Sequence, residues 1–369
     1  MPRLMIDDAT RTNPLALITT AKMAAVSDLV TPVKEFISVS GDAGLTVSEN
    51  VVVTVGSGIF VTERTNLSVS DLDAGAAFVI GNDYYVYICD NNTDTEVFKI
   101  SLNSTFPVGF TANNSRKIGG FHFGVCRRTN AILDPINTAG VIRGAGWQGN
   151  IYNGIIGRSV WTLKHRPKCS PEGMTYLGGG TWVDIYISSL NGLGGLQSAY
   201  NELPATGTEG LHVPLFAELL QVSDKRMMTL AEFYQCAKGA PAGEANNNTN
   251  AWAMSTNTAR QRTGFVGPAV SSIGCRDTTG NVYEWLNSYG AYFTQTGANS
   301  IQTAGSWRDV VGGADYGQAW LIADNQLVSL RAGGLWNLGA SAGPRSVNVS
   351  GRPWSVDSAS GVRGACDSL

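Results

Sequence analysis

"GCRDTTGNVYEWLNS", residues 274–288, separates a part of the chain with clear helix and strand signals from a glycine- and serine-rich end. It belongs to a stretch of long loops, rich in Asn, Gly and Trp, with little regular periodicity. Asp277 and Glu284 bracket Gly280 and Asn281. Taken alone, these residues read as a loop held by hydrogen bonds, with Glu284 capping backbone amides. What such a loop belongs to depends on its surroundings.

Upstream, "TLAEFYQCAKGAP" (229–241) predicts a helix. Thr229 is a good N-cap and Glu232 follows three residues on, which makes a capping box. Leu230, Phe233 and Ala237 share one face, and Gly239 and Pro241 stop the helix. In "VPLFAELLQVS" (213–223), Leu215, Phe216, Leu219 and Leu220 form a helical stripe. "MTYLGGGTWVDIYISS" (174–189) predicts two strands around a glycine turn. Two helices, short strands and long ordered loops make an α+β domain rather than a doubly wound one.

Farther back, residues 134–157 read as loop, and we place a domain boundary there, giving domains 1–155 and 156–369. The first domain is β-rich. Residues 50–70 carry β-branched runs broken at Gly56–Gly58, and "DYYVYICD" and "EVFKISL" flank a polar turn. Residues 116–128 add another strand or pair, and residues 15–30 a short, weakly amphipathic helix.

Composition narrows the function. Of 369 residues, 43% are hydrophobic and 15% charged, which is too apolar for disorder. The net charge is −3 and no Lys/Arg cluster occurs, so nucleic acid and anionic membranes are poor partners. No apolar run is long enough to span a bilayer or to act as a signal peptide, so we expect synthesis in the cytoplasm and no membrane insertion. None of the six cysteines lies within four residues of another, which excludes a zinc ribbon or CxxC motif. Without a secretory signal, we expect free buried thiols.

The end of the sequence, "RAGGLWNLGASAGPRSVNVSGRPWSVDSASGVRGACDSL" (331–369), has seven glycines and seven serines, like a linker. Linkers rarely carry placed Trp and Arg residues. Trp336 and Trp354 are expected to bury large rings, and Arg345 and Arg363 to satisfy loop carbonyls or carboxylates.

Three stretches, 225–241, 274–288 and 331–366, resemble in order the motifs of the formylglycine-generating-enzyme (sulfatase-modifying-factor) branch of the C-type lectin fold. Gly280, Asn281, Glu284 and Trp285 make the middle match the most specific. The resemblance implies a C-terminal C-type-lectin-like domain. Oxidases of that branch need two cysteines four residues apart, but residues 341–357 contain none. Related iron enzymes need three histidines, and this chain has only the scattered His122, His165 and His212. The expected function is therefore binding rather than catalysis; a purely structural protein, or an oxidase of that branch, is the alternative. The same resemblance implies a structural calcium held by Asp277, the carbonyls of Gly280 and Val282, and Glu284. No cofactor is required for the expected function.

The last stretch closely resembles the variable region of diversity-generating-retroelement target proteins, phage receptor-binding proteins among them. The fixed part of that pattern is matched by Gly333, Gly334, Trp336, Gly339, Ala342, Gly343, Pro344, Arg345, Gly361, Val362, Arg363, Gly364 and Cys366. The resemblance implies a scaffold of Gly333, Gly334, Trp336, Arg345, Trp354 and Arg363. It implies ligand-binding, hypervariable positions at Leu335, Asn337, Leu338, Ser341, Asn348, Ser350, Gly351, Ser355, Asp357, Ala359 and Ser360. Each of these residue types can arise from an Asn codon altered at its first two bases. The implied setting is a phage or prophage tail. The C-terminal face would meet a host-cell surface protein or glycan. The N-terminal domain would attach to other tail proteins, and the implied assembly is a homotrimer.

Overall fold

The computed structural model describes residues 4–5, 35–56, 58–91, 96–127, 151–293, 305–309, 318–322 and 325–369. The helix expected at 15–30 lies outside these residues. The chain divides into two compact units. One comprises Met1–Gly124, Asn153–Arg166 and Ser368–Leu369, and the other Val125–Tyr152 and Pro167–Asp367.

Strands dominate the first unit, as its β-branched runs predict. Val52–Val55 pairs antiparallel with Gly58–Val61, which also pairs with Leu4–Met5. Gly44–Val47 lies between Ile37–Ser40 and Thr65–Leu67. In the largest sheet, Asn82–Asp90 sits between Glu96–Ser101 and Ser115–Arg127. Leu45, Val47, Val86, Ile88, Ile100, Ile118 and Phe121 are buried in one core. Ile151–Ile155 is a strand on the edge of the largest sheet, where the sequence reads as loop. Its Asn-Gly pair hides the strand signal.

The second unit carries both expected helices. Val213–Gln221 turns Val213, Phe216 and Leu220 into the core, while Leu215 and Leu219 stay half-buried. In Leu230–Cys236 the capping box is present: Thr229 Oγ1 accepts from the Glu232 N–H, and Glu232 accepts from the Thr229 N–H. Phe233, Cys236 and Ala237 are buried. Met174–Gly178 and Thr181–Asp184 form the hairpin expected around the glycine turn. Gly364–Asp367 pairs with Thr181–Asp184 on one side and Arg226–Met227 on the other. The result is an α+β architecture: a β-rich unit and a separate unit with helices. Among the described residues no helix is long and apolar enough to cross a membrane.

The long strand Tyr283–Phe293 was not legible in the sequence. Its first four residues are buried on both faces, so they do not alternate. Its register with Asn325–Ala332 also shifts between Trp285 and Tyr289.

Candidate functional site

Tyr283–Phe293 organises the end of the chain. Asn325–Ala332 runs antiparallel along one side, with Glu284 opposite Ala332 and Trp285 opposite Arg331. Ser360–Val362 runs parallel along the other side, with Tyr283 opposite Ser360 and Trp285 opposite Val362. The backbone therefore leaves the sheet after Ala332 and returns to it at Ser360, flanking a single strand. The intervening segment, 333–359, has both ends fixed.

Beneath it a buried ion pair locks the frame. The Arg363 side chain is 0% exposed and Glu284 1%. Arg363 Nε donates to Glu284 Oε2 at 2.9 Å and Nη2 to Oε1 at 2.7 Å. The remaining donors reach the carbonyls of Asp184 (3.0 Å), Ile185 (2.6 Å) and Arg276 (2.7 Å). Burial works against the guanidinium charge, but Glu284 outweighs it and holds the Arg363 pKa above its ordinary value. A bidentate pair with satisfied remaining donors is the geometry that makes a buried charge tolerable.

This pair bears directly on the calcium expected from Asp277, Gly280, Val282 and Glu284. Both Glu284 oxygens already hold a cation, the guanidinium. Asp277 Oδ2 accepts from the Gly264 N–H at 2.6 Å, and burial pushes its carboxyl up despite Arg276. The four residues do not fit a calcium ion, because Arg363 supplies the positive charge at the Glu284 carboxylate. The motif serves the backbone instead. Asp277, Gly280 and Asn281 take left-handed φ values of 55°, 75° and 60°. Asn281 clamps Gln261 through both amide atoms, at 2.8 and 3.0 Å. Among the described residues no three His, Cys, Asp or Glu side chains converge as a metal site.

The 333–359 backbone is tied down along its length. Gly280 N–H donates to the Gly333 carbonyl (3.1 Å), as does Gly343 N–H (3.1 Å). Gly339 N–H reaches Ala253 O (2.7 Å) and Gly243 N–H reaches Ala342 O (3.0 Å). Ser329 N–H donates to Gly351 O (2.9 Å), Val213 N–H to Pro353 O (2.9 Å) and Gly207 N–H to Asp357 O (3.0 Å). Gly333 and Gly334 hold φ values of 88° and 94°, which side chains rarely adopt. The 243–257 loop is itself rigidified. Asn248 Oδ1 accepts from the N–H of Ala253 and Met254, and Asn257 donates to the Trp336 carbonyl at 2.8 Å.

The expected ligand-binding positions divide by exposure. Asn337, Ser341 and Ser350 are exposed; Leu335, Leu338, Asn348, Ser355, Asp357 and Ala359 are half-buried. Gly351 and Ser360 are buried. A Cβ on Gly351 would meet the Trp285 ring at 2.5 Å, so this position is packing, not free surface. Ser360 lies in a strand and its Oγ accepts from Arg331 Nη1 at 2.7 Å. Among the scaffold residues, Gly333, Gly334 and Arg363 are buried. Trp336 and Trp354 are half-buried and Arg345 is exposed. Trp285, which was not among the expected scaffold residues, is buried within the sheet.

Sequence reasoning missed Arg331. Its guanidinium lies 4.6 Å from the Tyr283 ring centroid and 5.3 Å from that of Trp285, and it pairs with Asp357. Burial opposes the Asp357 charge, but the Ala359 N–H and Arg331 outweigh it and hold the carboxyl below its ordinary value. Also missed was the turn under Asp357, where Thr206 and Glu209 form another capping box and Arg260 pairs with Glu209. The signature "TGTE" was there to be read.

Comparison with known proteins agrees with this architecture. Residues 35–148 match the family model described as the Mtd second domain. A tail fiber receptor-binding protein of Bordetella phage BPP-1 is 25% identical over 354 residues, spanning 89% of this chain and 81% of that protein. Among solved structures, the Major Tropism Determinant I1 variant is similar with a TM-score of 0.70 at 23% identity. The M1 variant gives 0.69 at 24%. Each alignment covers 90% of this chain and 83% of the other. The chain shares the fold of these proteins.

Proposed function

We propose that this chain is a receptor-binding protein of a phage or prophage tail, and that it works by binding, not catalysis. The observation that carries the reading is the 333–359 segment. Its backbone is fixed at both ends and along its length, yet nine of its candidate contact positions keep solvent access. A surface ordered before binding loses little loop entropy on contact. Similarity to a tail fiber receptor-binding protein supports the same reading.

In this reading the second unit is C-type-lectin-like and residues 331–369 are diversified by a retroelement. Side chains at Leu335, Asn337, Leu338, Ser341, Asn348, Ser350, Ser355, Asp357 and Ala359 meet a protein or glycan on the host surface. The N-terminal domain, 1–155, attaches to other tail proteins. In a homotrimer, avidity would compensate for weak single-site affinity. The protein is made in the cytoplasm and resides in the virion tail. The test is adsorption: particles carrying Leu335→Ala, Asn337→Ala and Ser341→Ala should lose or change host adsorption while the protein stays folded. Unchanged adsorption would leave a structural tail protein as the better reading.

A further inference from the structure

Residues 166–169 run beside 366–369. Leu369 N–H donates to Arg166 O at 3.0 Å and Lys168 N–H to Asp367 O at 2.9 Å. These two bonds make an antiparallel bridge between the segments. One step on, Cys169 lies beside Cys366: its N–H donates to Cys366 Sγ at 3.3 Å, which places the two cysteines in direct contact. Both side chains are buried free thiols in this structure.

We propose that Cys169 and Cys366 are a redox modification site, forming a disulfide when the folded protein meets an oxidising disulfide such as oxidised glutathione. A thiolate of the pair attacks glutathione disulfide and releases one glutathione. The second thiolate then attacks the mixed disulfide and releases the other. Two protein thiols lose two electrons and two protons, and one glutathione disulfide becomes two glutathiones. Burial and the neighbouring Cys366 push the Cys169 thiol up, so the exchange is slow at neutral pH and proceeds through opening of the edge. The bond would clamp Gly364–Asp367, the strand that begins one residue after Arg363. Its partners are 197 positions apart in sequence, so it closes a long loop of the unfolded chain. The proposal is independent of what the protein binds.

The experiment uses the full chain, purified in reductant and then equilibrated with oxidised glutathione. Remaining thiols are alkylated, and tryptic peptides are mapped by mass spectrometry. The expected map joins the peptide beginning at Cys169 to the peptide 364–369, and the link disappears in reductant. Oxidation should also raise the melting temperature by on the order of 5 °C or more. Cys169→Ser and Cys366→Ser should each abolish that gain. If a variant does not fold, the unmodified chain's map decides alone. A map in which both thiols stay free, or in which either joins another sulfur, overturns the proposal. The other buried neighbours, Cys236 and Cys275, are the natural competitors and are resolved by the same map.

Discussion

Glu284→Gln should be among the most damaging single substitutions in the second unit. It removes the charge but keeps the shape, leaving Arg363 buried at 0% exposure with no carboxylate bonded to it. Breaking a buried pair by neutralising one partner typically costs about 3–5 kcal/mol. For a unit of this size each kcal/mol lowers the melting temperature by about 2–4 °C, so a drop on the order of 10 °C is expected. Thermal and urea unfolding followed by circular dichroism measure it. Arg363→Met alone should cost a similar amount, because it strands the Glu284 carboxylate and three carbonyls. The double variant Glu284→Gln/Arg363→Met should lose less than the sum of the two, by about 1–3 kcal/mol of coupling. A chelator should leave the melting temperature of the unmodified chain unchanged, since the guanidinium is the cation that Glu284 holds. Glu284→Gln within about 1 kcal/mol of the parent would refute the ion pair as the lock of the frame.

Other consequences are equally specific. Gly351→Ser should cost about 1–3 kcal/mol by driving a side chain into the Trp285 ring, whereas Asn337→Ser and Ser341→Asn should stay within about 0.5 kcal/mol in the same unfolding assay. Thr229→Ala should lose about 1 kcal/mol through its helix cap. Stability should also fall in acid. Burial opposes the Glu232 charge, but Arg226 and the Thr229 N–H outweigh it and hold the carboxyl below its ordinary value, as Arg331 and the Ala359 N–H do for Asp357. A carboxyl lowered by folding contributes stability that is present above its unfolded pKa and lost as pH falls through its folded one. Urea midpoints should hold from neutral pH to about pH 5 and decline below about pH 4, less steeply in Asp357→Asn.

The helices and hairpins were legible because their signals are local. The Thr229–Glu232 box, the 178–180 glycine turn and the β-branched runs of the first unit each specify their own structure. The site was legible only as a pattern. Arg363 and Glu284 stood out in the sequence, but their pairing spans 79 positions, and a motif cannot say that its carboxylate is spent on an arginine. Arg331 gave no signal, because its importance comes from what the sheet brings to it. Gly351 and Ser360 looked like free surface for a related reason. Small residues read alike in a loop and under a tryptophan, and only the fold separates the two.

The 333–359 segment is proposed to carry a diversified recognition surface on a fixed frame. Sequencing the 3′ end of the gene in many individual clones, with its flanking DNA, tests this most directly. The expected result is a nearby near-copy of the coding segment with adenines at the variable codons, beside a reverse transcriptase gene. Clones should differ at solvent-accessible positions such as Leu335, Asn337, Ser341 and Ser350, with Gly333, Gly334 and Arg363 unchanged. Identical clones and no second copy would contradict diversification.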